Sequence, residues 1–162
     1  MTLTSRQSFA LLAAAGIGCF FGGVVAGNLF HLAACPLCIL QRMLYLSFGV
    51  LGLIGVALAN KPLAARLMSA LLLLAAGTGA FIAAYQSWIQ HHPEGPSCTA
   101  DAPWWETFVY WAGEQLPTFF LSSGMCTDPG FKLFGLSIAE YSLMVFSALA
   151  LASVALLLKK RA

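Results

Sequence analysis

The sequence predicts an all-α membrane protein, a four-transmembrane-helix bundle with one long outer loop that carries short interfacial helices. Three observations predict it. Of the 162 residues, 60% are hydrophobic and only 9% are charged, a composition outside the range of soluble domains. Four uncharged apolar runs approach the roughly 20 helical residues needed to cross a hydrocarbon core of about 30 Å. The cations fall unequally among the segments that separate those runs.

Residues 1–162 read as a single integral membrane domain with spans at about 9–30, 39–59, 67–89 and 139–158. The first run contains no charge and one strongly polar group, Asn28. The second reaches a spanning length only by including residues 38–42, so it starts near the interface. The third and fourth are long enough without such help. Lipid offers backbone N–H and C=O groups no partners, so each run must be helical. A cleaved leader has an apolar stretch of about 7–15 residues, shorter than the first run, and none is expected. The segment Leu32-Ala33-Ala34-Cys35 has the look of a lipidation box but lies after an overlong run and before three more spans, so it is read as part of a loop.

Two outer loops remain, at about 31–38 and 90–138. Pro93, Pro96, Pro103, Pro117 and Pro129 break the second, so it is not one helix. Within it, residues 104–111 (WWETFVYW) are dense in aromatic side chains and residues 131–138 repeat the pattern more weakly. Tryptophan and tyrosine favour the headgroup level, so both pieces are expected as short amphipathic helices lying on the membrane.

Six of the eight cations, Arg6, Lys61, Arg66, Lys159, Lys160 and Arg161, flank the spans on one side. Arg42 and Lys132 lie on the other, with Glu94, Asp101, Glu106, Glu114 and Asp128. The positive-inside rule then places both termini in the cytoplasm and both loops outside, where disulfides form and persist. A net charge of +2 gives no reason to expect nucleic acid.

Topology sorts the five cysteines. Cys19 falls in mid-span and reads as a small packing residue, whereas Cys35, Cys38, Cys98 and Cys126 face the oxidising side. Residues 35–42, CPLCILQR, open the second helix, with Pro36 at a position where its missing N–H costs nothing. Unsatisfied backbone donors and the helix dipole stabilise an anionic sulfur there. Arg42 stands four residues after Cys38 and seven after Cys35, on the same helical face. An arginine near the bilayer is costly and points to function; a snorkelling anchor is the other reading. Cys98 and Cys126 either close a structural loop or exchange with the first pair. A zinc site is a further use of four cysteines, although structural zinc prefers a second C-x₂-C or closely spaced histidines, and here Cys98 and Cys126 are widely separated while His91 and His92 are directly adjacent.

Four spans, CPLCILQR at the outer start of the second, WIQHHP ahead of Cys98, and FFLSSGMCTDPGFKLFGL around Cys126 together resemble the bacterial disulfide-bond formation (DsbB) family over nearly the whole chain. The resemblance implies a bacterial inner-membrane, multi-pass thiol:disulfide oxidoreductase with periplasmic loops. Such an enzyme reoxidises a periplasmic DsbA-like, thioredoxin-fold oxidase and passes two electrons to membrane quinone, ubiquinone or menaquinone, in a relay that keeps the periplasm oxidising. It implies catalytic roles for four cysteines: Cys98 taking the mixed disulfide, Cys126 passing oxidation state to Cys35, and Cys38 facing the quinone beside Arg42. No metal is implied. The sequence departs from the family at Met125, where many members carry an acid, and at Tyr85-Gln86, where some carry Arg or His. Gln86 and His91, with His92, are the further candidates for quinone contact. A specialised paralogue with one dedicated substrate, a carrier running electrons in the opposite direction, or a membrane protein with structural zinc or an inert disulfide would be the rival readings.

Overall fold

A computed structural model describes residues 4–92, 103–129 and 131–159. Four long helices dominate it: α1 (Ser5–Leu29), α2 (Pro36–Leu58), α3 (Pro62–His91) and, last in the chain, α6 (Ile138–Leu158). Each is long and apolar enough to cross a membrane, since even the 21 residues of α6 extend past ~30 Å at about 1.5 Å per residue. The chain is a multi-pass membrane protein.

Local chemistry sets where the helices begin. The Thr4 hydroxyl accepts from the Gln7 N–H while the Gln7 side chain accepts from the Thr4 N–H at 2.9 Å, closing a capping box at α1. Ser137 and Glu140 make the same box at α6. Pro36 and Pro62 stand in the first turns of α2 and α3.

The helices alternate in direction, so the C-terminal ends of α1 and α3 and the N-terminal ends of α2 and α6 share one end of the bundle. Small residues bring α1 and α2 together: a Cβ on Gly52 would stand 2.8–2.9 Å from Ala13, and one on Gly16 would stand 2.8 Å from the backbone of Gly49. With no hydrophobic force between helices in lipid, such close packing is what holds them. α3 and α6 meet where the Phe146 ring fills the space over Gly79, and Tyr45 of α2 stacks on Phe146 with ring centroids 4.0 Å apart. Phe9, Phe48, Leu72 and Phe146 are fully buried, whereas Leu74, Phe81 and Leu151 point outward, as lipid-facing side chains do.

The segment between α3 and α6 covers the end where these termini meet. It contains α4 (Trp104–Gln115) and the single turn α5 (Pro117–Phe120). α4 is amphipathic as expected, burying Val109 and Ala112 and exposing Trp104, Phe108, Tyr110 and Trp111. The expectation of a second helix over 131–138 is corrected: this piece is a hairpin of β1 (Lys132–Leu133) and β2 (Leu136–Ser137), with Leu133 opposite Leu136. Phe134 and Gly135 adopt φ of 50° and 84°, the pair of positive angles that a tight two-residue hairpin turn requires and a helix forbids. The Tyr141 hydroxyl donates to the Leu133 carbonyl at 2.9 Å and ties the hairpin to α6.

Candidate functional site

The N-terminus of α2 collects three sulfurs. Cys35 is the N-cap, its Sγ accepting from the Cys38 N–H at 3.4 Å. Its thiol lies 3.1 Å from Cys38 Sγ. Cys126 arrives from the loop after α5 and packs with Cys35, Leu37 and Ile89 in a small buried cluster, which Cys38, Ile82 and Trp105 flank. The Cys126 sulfur accepts from the Leu37 N–H and from the Cys35 thiol. The free donors of a helix start therefore serve two sulfurs, one from the helix and one from the loop.

Electrostatics divide the labour between these two. Donating to Cys126, and next to Cys38, holds the proton on Cys35 and pushes that thiol up from its ordinary range. Cys126 moves down, first because it receives the Cys35 hydrogen bond, against the opposing effect of burial. A sulfur poised toward the thiolate thus touches Cys35, and exchange between the two needs, beyond this contact, that Cys35 be held in a disulfide.

The loop reaches this position through a docking contact of main chain on main chain. The N–H groups of Ser123 and Gly124 both donate to the Ala34 carbonyl, at 2.9 and 3.0 Å, and the Ser122 hydroxyl adds a third donor at 3.3 Å. A Cβ on Gly124 would collide with the Ala33 carbonyl. Only glycine permits this approach.

Gln86 is buried, 2% exposed, and its amide nitrogen donates to Cys35 Sγ at 3.2 Å and Cys38 Sγ at 3.1 Å. Gln41, 4% exposed, donates in turn to Gln86 Oε1 at 2.7 Å. Arg42 sends one guanidinium nitrogen to the Gly23 carbonyl at 2.9 Å and another to the Phe119 carbonyl at 3.4 Å. It bridges α1 and α5 while lining the same cavity as Cys38. Neither carbonyl carries a full charge, so the cation is left with capacity for an anion.

That cavity has a volume of about 650 Å³, within the range of small-molecule sites. Cys35, Cys38, Arg42, Gln86 and Gln90 give it polar groups, and Gly22, Gly23, Ala26 and Tyr45 give it a largely apolar wall. Gln90 Oε1 is buried there with no hydrogen-bond partner among the described residues, an acceptor left for something bound. Cys19, expected as packing, is half-buried against the main core and also lines this space. The structure thus brings together Cys35, Cys38, Cys126, Arg42 and Gln86. It does not bring His91 to them. That ring is exposed, with Nδ1 2.8 Å from the Ser87 carbonyl and Nε2 3.9 Å from Glu140, because its position on α3 faces α6 outside the cavity. Cys98 lies outside the described residues.

A cysteine pair at a helix start, a third cysteine from the loop in contact with it, and an arginine-lined cavity make up the site, and one family model matches the chain that carries it. The model "Disulfide bond formation protein DsbB" matches residues 5–156. The chain belongs to the DsbB family. Proteins named Disulfide bond formation protein B are similar to it along their length. The one from Dechloromonas aromatica (strain RCB) is 39% identical over 160 residues, covering 96% of this chain and 93% of the relative. That from Polaromonas sp. (strain JS666 / ATCC BAA-500) is 37% identical over 155 residues, covering 94% and 90%. As a DsbB-family member the chain is a membrane disulfide oxidoreductase.

Nothing in the sequence singles out Gln41 within CPLCILQR, Gln90 within WIQHHP or Glu106 within WWETFVYW as a site residue. The one signal they carry is that each is strongly polar in an apolar or aromatic setting, and such groups must find partners. For Glu106, 5% exposed, the Tyr110 hydroxyl at 2.9 Å is one.

Proposed function

We propose that this chain reoxidises a periplasmic DsbA-like oxidase and passes the two electrons to a membrane quinone, ubiquinone or menaquinone. The observation that carries the reading is Cys35, in contact with loop Cys126 on one side and with Cys38, at the cavity wall, on the other. In the first exchange a partner thiolate attacks Cys98 of a Cys98–Cys126 disulfide, and Cys126 leaves. The partner's second thiol then attacks the mixed bond, so the partner departs oxidised and the loop pair holds two electrons and two protons. In the second exchange the Cys126 thiolate attacks Cys35 of a Cys35–Cys38 disulfide and Cys38 leaves as the anion. Cys98 then attacks Cys126, restoring the loop disulfide and leaving Cys35 as a thiol.

The cavity fits a quinone head group: an apolar wall, a donor in Arg42, and at Gln90 a buried acceptor with no partner among the described residues. When bound there, a quinone supplies the sink for two electrons and two protons, which reforms the Cys35–Cys38 disulfide. Arg42 stabilises negative charge in the cavity, and Gln86 holds the two sulfurs at its edge. The orientation that suits this relay has both termini in the cytoplasm of a bacterial inner membrane, with the sulfurs on the periplasmic side.

Mixing the purified full-length protein with ubiquinone and a reduced DsbA-like partner should reduce quinone stoichiometrically with partner oxidation. No quinone reduction would overturn the reading, and net reduction of the partner would favour electron flow the other way. Arg42→Ala should slow quinone reduction by roughly 100-fold, the scale of removing one preorganised charge donor, with Arg42→Lys in between. Full turnover in Arg42→Ala would make Arg42 an interfacial anchor.

A further inference from the structure

The amide of Gln86 has two opposite ends, and the chemistry at Cys35 and Cys38 depends on which end faces them. An N–H group stabilises an anionic sulfur, whereas a carbonyl oxygen repels it. Rotation of the terminal amide exchanges the two at little cost in shape. Something must therefore decide the orientation, and the group in place is Gln41. Its Nε2 donates to Gln86 Oε1 at 2.7 Å, which leaves both Gln86 N–H groups for Cys35 Sγ and Cys38 Sγ at 3.2 and 3.1 Å. Gln41 and Gln86 are almost fully buried, so water does not compete for either end.

We propose that Gln41 is a positioning residue that fixes the polarity of the Gln86 amide and so biases the Cys35–Cys38 pair toward its reduced form. The bias arises because the amide donates strongly to a thiolate and only weakly to the sulfurs of a disulfide. Whatever stabilises the reduced form alone raises the pair's reduction potential, which makes it a stronger acceptor of electrons from the loop pair. The inference rests on the reading above, in which Cys38 is the sulfur released as an anion. It extends that reading to a residue that touches no sulfur in the hydrogen-bond network.

The test equilibrates quinone-free, full-length protein with glutathione buffers. In this couple, two glutathione thiols and the Cys35–Cys38 disulfide give glutathione disulfide and the two reduced cysteines. Alkylation and mass analysis of the Cys35–Cys38 peptide reads the equilibrium constant separately from the loop pair. Gln41→Met, close in volume but unable to donate, should lower that constant by roughly tenfold, about 30 mV for a two-electron couple. Gln41→Leu should do the same and serves if the first variant folds poorly. In a Gln86→Met background the Gln41 substitution should have no further effect, because the amide through which it acts is gone. An unchanged or raised constant, or an equal fall in both backgrounds, overturns the proposal. No quinone enters this equilibrium, so failure here and failure of quinone reduction are separate results.

Discussion

Cys38→Ser is expected to abolish catalytic turnover while leaving one round of exchange intact. Serine matches cysteine in size and keeps a hydrogen-bonding atom for Gln86, so the bundle should melt unchanged. It cannot form the Cys35–Cys38 disulfide, however, and the electrons then have no bond to enter beyond the loop pair. Partner oxidation should stop after a single stoichiometric burst through Cys98 and Cys126. Steady-state quinone reduction should fall by on the order of a thousandfold or more, the scale seen when a member of a covalent relay is removed. Because Cys35 and Cys126 are in contact, the Cys35 sulfur of the variant should, before partner is added, also attack Cys126 of the Cys98–Cys126 disulfide and release Cys98 as a thiol, and the rearranged Cys35–Cys126 bond should be visible on a non-reducing peptide map. Continued multiple turnover with quinone would show that electrons leave from Cys35 or Cys126 directly.

Gly124→Val is expected to have the next largest effect. A Cβ at this position collides with the Ala33 carbonyl, which is main chain and cannot rotate aside. The loop must lift, stretching the bonds from Ser123 and Gly124 to the Ala34 carbonyl and carrying Cys126 away from Cys35. A misplacement of about 1 Å between reacting groups can cost roughly 100-fold in rate, and transfer from the loop pair to the Cys35–Cys38 pair should slow by at least that much. The four spans do not depend on this contact, so thermal stability should hold. Gly18→Ala is the control: nothing lies within 4 Å of a Cβ there, and alanine suits a helix interior better than glycine. Rapid quenching with peptide mapping would follow both transfers, and an unimpaired second transfer in Gly124→Val would show that loop docking does not position Cys126.

What composition and spacing determined by themselves were the parts governed by local physics. The four spans follow from hydrophobic length, because lipid leaves a polar-poor run of that size one stable conformation. The helix start beside Cys35 follows from Pro36, and the shared face of Cys35, Cys38 and Arg42 follows from helical pitch. The aromatic and apolar content of residues 131–138 suits a helix or a hairpin equally well, so composition does not choose between them. Two positive φ angles at Phe134-Gly135 decided it.

Only the tertiary structure decided which distant groups meet. Gln86 and His91 were equal candidates on α3, five residues apart. The bundle turns Gln86 inward to the sulfurs and leaves His91 outside, opposite Glu140. Gln41 was one letter of an eight-residue stretch until α3 packed beside α2 and gave its amide a partner. Cys126 sits 91 positions beyond Cys35, and no spacing rule predicts their contact; a glycine that admits a backbone carbonyl and two N–H groups aimed at another carbonyl bring it there. Helix pitch and span length are properties of a chain with its immediate neighbours. Contacts between helices depend on which small residues let two backbones approach, and that is settled only when all the helices pack together.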